Sequence, residues 1–260
     1  SMLEMCAALD SKVLLACSST SRHATQDLDA IARDLRKLAM LALPLGIKVA
    51  FEGLSWGRTI NEFTTAWDVV CRADCPNLGL GLDSYHVFAA KTPLDAIEDL
   101  DPNKIFLVQL ADFMWQETQT FEERMTTART FRVFPGEGVH SEQLADLVLR
   151  LQRLGYRGDY SFEVFNDDYQ QMPLDTVAQR ARRSALQDIR KDPESYYAFH
   201  ADVSGFPVAA VKASYPLSQF PEEAYPSAWV QSLEDVKSFL RAENLIRQDF
   251  AVDQWKVAGL

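Results

Sequence analysis

The sequence predicts an α/β fold, a barrel of parallel strands each followed by a helix, and three observations carry that expectation. Short apolar runs alternate with amphipathic helical stretches over the first 190 or so residues, the pattern of strand–helix units on a parallel sheet. At 260 residues, with 47% hydrophobic and 24% charged positions, the chain has the size and composition of one large α/β domain. Acidic and amide side chains recur where the strands should end, the edge on which barrels of this class build their sites.

Val13-Leu14-Leu15-Ala16-Cys17 is the first strand. It leads through Ser18-Ser19-Thr20 into a helix in which Leu28, Ile31, Leu35 and Leu38 recur at three- and four-residue steps, closing at Leu45-Gly46. The second unit is Lys48-Val49-Ala50-Phe51-Glu52, a loop carrying Trp56-Gly57-Arg58, and a helix opened by Thr59 with Glu62 as a capping box. A third strand, Leu78-Gly79-Leu80-Gly81-Leu82-Asp83, continues through a short helix near Pro93 to Leu100. The fourth strand is Ile105-Phe106-Leu107-Val108-Gln109, followed by a polar, Thr-rich excursion over 116–130. Arg132-Val133-Phe134-Pro135-Gly136-Glu137-Gly138 reads as a short strand and tight turn. A helix over 141–154, a last strand over 159–165 and an Ala- and Arg-rich helix over 174–190 complete the series.

That makes about six strand–helix units against the eight of a closed barrel, so the expected fold is a TIM-like (β/α) barrel lacking its first two βα units. Residues 1–192 are assigned to this partial barrel and 193–260 to a C-terminal extension, since Lys191-Asp192-Pro193 breaks the helix and only 232–242 beyond it is strongly helical. Unpaired sheet edges would favour a homo-oligomer or a covering tail. A net charge of −11 removes the counterion-release attraction to nucleic acid. No run of about 18 apolar residues is present to span a membrane. Four cysteines without paired spacing are read as reduced thiols of a cytoplasmic protein.

Glu52, Asp83, Gln109 and Glu163 each fall at or near the C-terminal end of an expected strand, separated by 31, 26 and 54 residues. Four strands thus aim one oxygen each at a common axis. Three carboxylates and a carboxamide suit a hard divalent cation, Mg²⁺ or Mn²⁺, and with a neighbouring imidazole Co²⁺. His86, three residues beyond Asp83, is placed to act as general base. Arg132 is a candidate to grip an anionic substrate group, or to neutralise nearby acids, and Trp56 to wall the pocket. His23, His140 and His200 are assigned no role. Glu137, Asp112, Asp167 and Asp168 are read as solvated, with a supporting role to the site as the alternative.

Taken in order, Phe51-Glu52-Gly53-Leu54-Ser55-Trp56-Gly57-Arg58, Gly81-Leu82-Asp83-Ser84-Tyr85-His86, Val108-Gln109-Leu110-Ala111-Asp112, Phe134-Pro135-Gly136-Glu137-Gly138 and Phe162-Glu163-Val164-Phe165-Asn166-Asp167 resemble the xylose-isomerase-like barrels of the sugar phosphate isomerase/epimerase family, and within it the bacterial 3-dehydroshikimate dehydratases. The resemblance implies a divalent metal held by Glu52, Asp83, Gln109 and Glu163, His86 near the reacting carbon, and Arg132 toward a substrate carboxylate. It further implies that 3-dehydroshikimate, a cyclic hydroxy ketone carboxylate, loses water and aromatises to protocatechuate. Thr130-Phe131 stands where such dehydratases carry a histidine and a tyrosine. The same apparatus suits an isomerase, epimerase or dehydratase of a sugar or cyclitol, and a barrel retained for binding without turnover is the third reading. The nuclease branch of the superfold uses a histidine-rich zinc cluster, which four histidines and a charge of −11 disfavour.

Overall fold

The computed structural model describes residues 1–191, 197, 201, 207–214 and 227–242, in two compact units, 1–167 and 168–260. In the first, helix α1 (Met2–Ala8) precedes β1 (Val13–Cys17), α2 (Leu28–Ala42), β2 (Lys48–Glu52), α3 (Phe63–Ala73), β3 (Leu78–Asp83) and α4 (Ser84–Ala90). There follow β4 (Ile105–Leu110), α5 (Phe121–Thr130), α6 (Ser141–Leu154) and β5 (Tyr160–Phe162). The strands form one sheet in the order β1-β2-β3-β4-β5 and every neighbouring pair is parallel. This is the expected α/β half-barrel.

It has five strands among the described residues rather than six, because the segment at Arg132 does not enter the sheet. β4 pairs directly with β5, which leaves no place between them. Val133 instead forms an isolated antiparallel bridge with Asp112, and Phe131 one with Asn166, so this segment ties the loops beyond β4 and β5 together. Pro135, with no N–H to give, follows at once.

Helix α2 is capped by Asp27, whose carboxylate accepts from the backbone N–H groups of Asp29 and Ala30. Its buried stripe is Ala32, Ala39 and Ala42. The expected capping box at Thr59 does not form. Thr59 donates its hydroxyl to Thr25 O at 2.9 Å, and α3 starts after Glu62 with no side-chain cap. A capping box does form at Thr120, with Glu123 returning to the backbone, and it turns the Thr-rich excursion into α5.

The core lies between sheet and helices: Val49, Leu78, Leu80, Leu82 and Val108 from the strands meet Val69, Leu147 and Leu151 from α3 and α6. Asn77, buried just before β3, donates to Ala39 O (2.8 Å) and Ile47 O (3.0 Å), pinning the end of α2 to the start of β2. Along β3 and β4, Leu80 pairs with Ile105 but Gly81 pairs with Leu107, so Phe106 has no counterpart and Asp83 lies opposite Gln109.

The second unit contains α7 (Leu174–Lys191), α8 (Val208–Ser214) and α9 (Ser227–Ala242). The helices expected over 174–190 and 232–242 are both present, while the break expected at Pro193 lies outside the described residues. The Arg180 guanidinium lies 4.4 Å from the ring of Tyr169. No helix among the described residues is long and apolar enough to cross a membrane.

Candidate metal centre

Register carries the first pieces of the site to one edge. Cys17 stands opposite Glu52, and Asp83 opposite Gln109. Residues so paired on parallel strands share a face. Glu163 follows β5, its backbone N–H held by Leu110 O at 3.2 Å. Asp83 has two duties: Oδ1 caps α4 by accepting from Tyr85 N at 2.8 Å, which places His86 on that helix's first turn, within 3.5 Å of Asp83 Oδ2.

Glu52, Asp83, His86 and Gln109 are all buried. One ligand atom from each of Glu52, Asp83 and His86 lies within 4.8 Å of the others. Glu52 Oε2 accepts from Cys17 Sγ at 3.3 Å, but Glu52 Oε1 and Gln109 Oε1 are buried with no hydrogen-bond partner. Glu163 is half-buried. Arg132 is buried as well, its NH1 donating to Asp83 Oδ2 (2.6 Å) and Glu163 Oε2 (3.0 Å), its Nε to Ala128 O (2.8 Å). The alternative that had Arg132 neutralising acids is the arrangement the structure contains, though buried rather than at the surface.

These residues fit a divalent cation. Once all three carboxyls are ionised, they leave, against one guanidinium and a neutral imidazole, two negative charges in a buried place, which one such ion would balance. The two orphaned oxygens each forgo a hydrogen bond at a cost of about 1–3 kcal/mol, and both are hard donors of the kind Mg²⁺, Mn²⁺ or Co²⁺ takes.

The electrostatics agree. Burial, then the carboxylates of Asp83 and Glu163, push the Glu52 carboxyl up to about 8. Burial and Asp83 likewise raise Glu163. Burial and the Arg132 charge hold His86 well below the usual imidazole range, so the ring is neutral. Burial and Glu52 push the Cys17 thiol up to about 12. Burial alone would lower Arg132, but Asp83 and Glu163 overcome it and keep the guanidinium firmly charged.

The loop after β2 supplies a wall and a support. The Trp56 ring sits edge-on to His86, centroids 5.0 Å apart, and its Nε1 is buried without a partner. Ser55, fully buried, donates its N–H to His86 Nδ1 at 3.1 Å, and its Oγ lies 3.1 Å from the same nitrogen.

Two residues given no part, or a solvated one, turn out to be structural to this edge. Asp112 is fully buried and its Oδ1 accepts from Phe113 N (2.7 Å), His140 N (3.1 Å) and His140 Nδ1 (3.0 Å). The His140 ring stacks between Phe88 and Phe113. Gly138 is what allows the approach, since a Cβ there would lie 2.3 Å from Asp112 Oδ1. Nothing local in the sequence pairs Asp112 with His140, which stand 28 residues apart. Asp167 and Asp168 are exposed, as expected.

Comparison with known proteins gives the same picture. A family described as xylose isomerase-like TIM barrel matches residues 1–190. Proteins named 3-dehydroshikimate dehydratase from Pseudomonas aeruginosa and Pseudomonas putida are 39% and 35% identical over 178 residues, 68% of this chain. That match spans 27% of each dehydratase's length. An inosose isomerase from Halalkalibacterium halodurans is 30% identical over 60% of this chain and 53% of its own. Among solved structures, a xylose isomerase-like TIM barrel/4-hydroxyphenylpyruvate dioxygenase fusion protein superposes with a TM-score of 0.65 at 32% identity, covering 75% of this chain and 31% of that one. The IolI protein with a bound zinc atom superposes with a TM-score of 0.63 at 25% identity, over 73% of this chain and 67% of its own.

Proposed function

We propose, since the chain belongs to the xylose isomerase-like TIM barrel family, that it is a metal-dependent lyase that removes water from 3-dehydroshikimate to give protocatechuate. The observation that carries this reading is the convergence of Glu52, Asp83, Gln109, Glu163 and His86, with two buried oxygens left unpartnered, at one end of the sheet. The dehydratases of the two Pseudomonas species support the substrate, and the zinc of the IolI structure supports the ion.

Glu52, Asp83, Gln109 and Glu163 would hold the cation, which polarises a ketone and so eases loss of the proton beside it. The chain's own residues do the rest. Arg132 keeps Asp83 and Glu163 at a fixed separation and offsets their repulsion. Trp56 walls the pocket beside His86, and its unpartnered Nε1–H is available to a substrate oxygen. A bound cation would hold the buried carboxyls ionised, although burial and the carboxylates of Asp83 and Glu163 raise Glu52 to about 8 without it. The carbon next to the ketone gives up its proton to a base, the hydroxyl β to it departs and takes up that proton as water, and enolisation of the ketone gives the aromatic ring.

A second reading is an isomerase or epimerase acting on a cyclitol or sugar without a carboxylate. Arg132 favours it, because its NH1 and Nε are committed to Asp83, Glu163 and Ala128. Mixing Mn²⁺-loaded protein with 3-dehydroshikimate and following near-ultraviolet absorbance separates the two. An aromatic product that appears with wild type and not with Glu163→Ala supports the lyase. No product, with an inosose turned over instead, replaces it by the second reading.

A further inference from the structure

We propose that Ser55 and Arg124 are positioning residues that hold His86 in one neutral tautomer, hydrogen on Nε2, so that the ring offers a substrate oxygen a hydrogen-bond donor rather than acting as a base on carbon. The backbone N–H of Ser55 lies 3.1 Å from His86 Nδ1, and Ser55 Oγ lies at 3.1 Å from the same nitrogen. A backbone N–H can only donate, so Nδ1 presents its lone pair, and the one hydrogen of a neutral imidazole is left to Nε2. That nitrogen is the one turned toward the centre, 3.5 Å from Asp83 Oδ2. A hydrogen on Nδ1 would set two donors head to head in a buried place.

Ser55 is itself fastened. Its carbonyl accepts from Arg124 NH1 at 3.2 Å, and the carbonyl of Arg124 accepts from Tyr85 Oη at 2.6 Å. Tyr85 precedes His86 on α4, their rings edge to face at 5.3 Å. The four residues therefore close a loop that runs from α4 through α5 to the segment after β2 and back to the imidazole.

The proton abstraction expected of His86 needs a lone pair on Nε2, and this tautomer has none there. A neutral imidazole N–H aimed at the reacting atoms instead stabilises an oxygen on which negative charge develops. In the dehydration that oxygen is the ketone's, as the neighbouring carbon gives up its proton, or the hydroxyl's as it leaves. This functional part rests on the dehydratase reading, whereas the tautomer does not.

The test is ¹⁵N NMR of the imidazole nitrogens in the Mg²⁺-loaded protein, with the His86 signals identified as those lost in His86→Gln. The expected spectrum has the hydrogen on Nε2 and a bare Nδ1. A hydrogen on Nδ1, or on both nitrogens, overturns the proposal. With 3-dehydroshikimate as substrate, Arg124→Met, which releases the Ser55 carbonyl and with it the aim of the Ser55 N–H, should lower kcat about tenfold with KM little changed, and Arg124→Lys should restore part of it. Equal kcat in wild type and Arg124→Met also overturns it. If wild type leaves 3-dehydroshikimate untouched, the dehydratase reading fails, and the ring signals still decide the tautomer.

Discussion

Replacing Glu52 with glutamine should stabilise the metal-free protein at neutral and alkaline pH while removing its stabilisation by a divalent cation. Glu52 is buried beside Asp83 and Glu163, and its carboxyl is raised from 4.5 to about 8. A carboxyl raised by folding contributes stability that is fully present below its unfolded value and is lost as pH climbs through the folded one. The metal-free wild type should therefore weaken steadily between about pH 4.5 and pH 8. At about 1.4 kcal/mol per unit, the loss accumulated by pH 7 is of the order of 3 kcal/mol. Glutamine keeps the shape and carries no charge, so most of that loss disappears, worth roughly 6 to 12 °C in Tm for a unit of this size. Saturation with Mn²⁺ at about a hundred times its Kd should raise wild type by ~2.7 kcal/mol, and the variant hardly at all. Thermal unfolding at pH 5, 7 and 8, in chelator and in Mn²⁺, reads all of this. Chelated Glu52→Gln melting below wild type at pH 8, or Mn²⁺ stabilising both alike, would refute the charge balance on which the centre is argued.

Because Glu52 is raised to about 8, cation binding at pH 7 should expel close to one proton per ion from that carboxyl. Titration calorimetry in two buffers of different ionisation enthalpy checks this, and identical heats in both would count against it. Gly138→Ala would drive a methyl into the Asp112 carboxylate, so urea unfolding should show a loss of about 2–4 kcal/mol. A change under 1 kcal/mol would mean that the turn yields. Asn77→Ala strips the donors from Ala39 O and Ile47 O and should cost about 2 kcal/mol by the same assay, with the metal affinity of the distant centre unchanged.

Strands β2 to β4 are legible because a well-buried parallel strand is a short unbroken apolar run, and the residue that ends it is polar for a reason; β1 reads the same way although it is only partly buried. Glu52, Asp83 and Gln109 could be picked out on that ground alone. The same rule misplaced Val133-Phe134, an apolar pair that is buried without pairing into the sheet: Val133 bridges Asp112, and the Phe134 ring packs on Phe162. Capping boxes need a following helix to be recognised. Thr59 and Glu62 have the spacing but not the geometry, while Thr120 and Glu123 were hidden in a run of other threonines. Asp112 and His140 are 28 residues apart, and only the turn at Gly138 brings them together. No local pattern could reveal that, nor that a serine backbone N–H selects which nitrogen His86 shows to the centre.

The unmatched Phe106 gives β4 a place to absorb changes of length. Ile105 and Gln109 are four residues apart, yet their partners Leu80 and Asp83 are three apart, so a regular ladder could satisfy only one pair. Deleting Phe106 would leave every pairing downstream of it as it is. Deleting Val108, two residues on, would bring Leu110 opposite Asp83 and turn the carboxamide to the other side of the sheet. Loss of a residue is thus tolerable on one side of Leu107 and ruinous on the other, a boundary that a scan of substitutions would never detect.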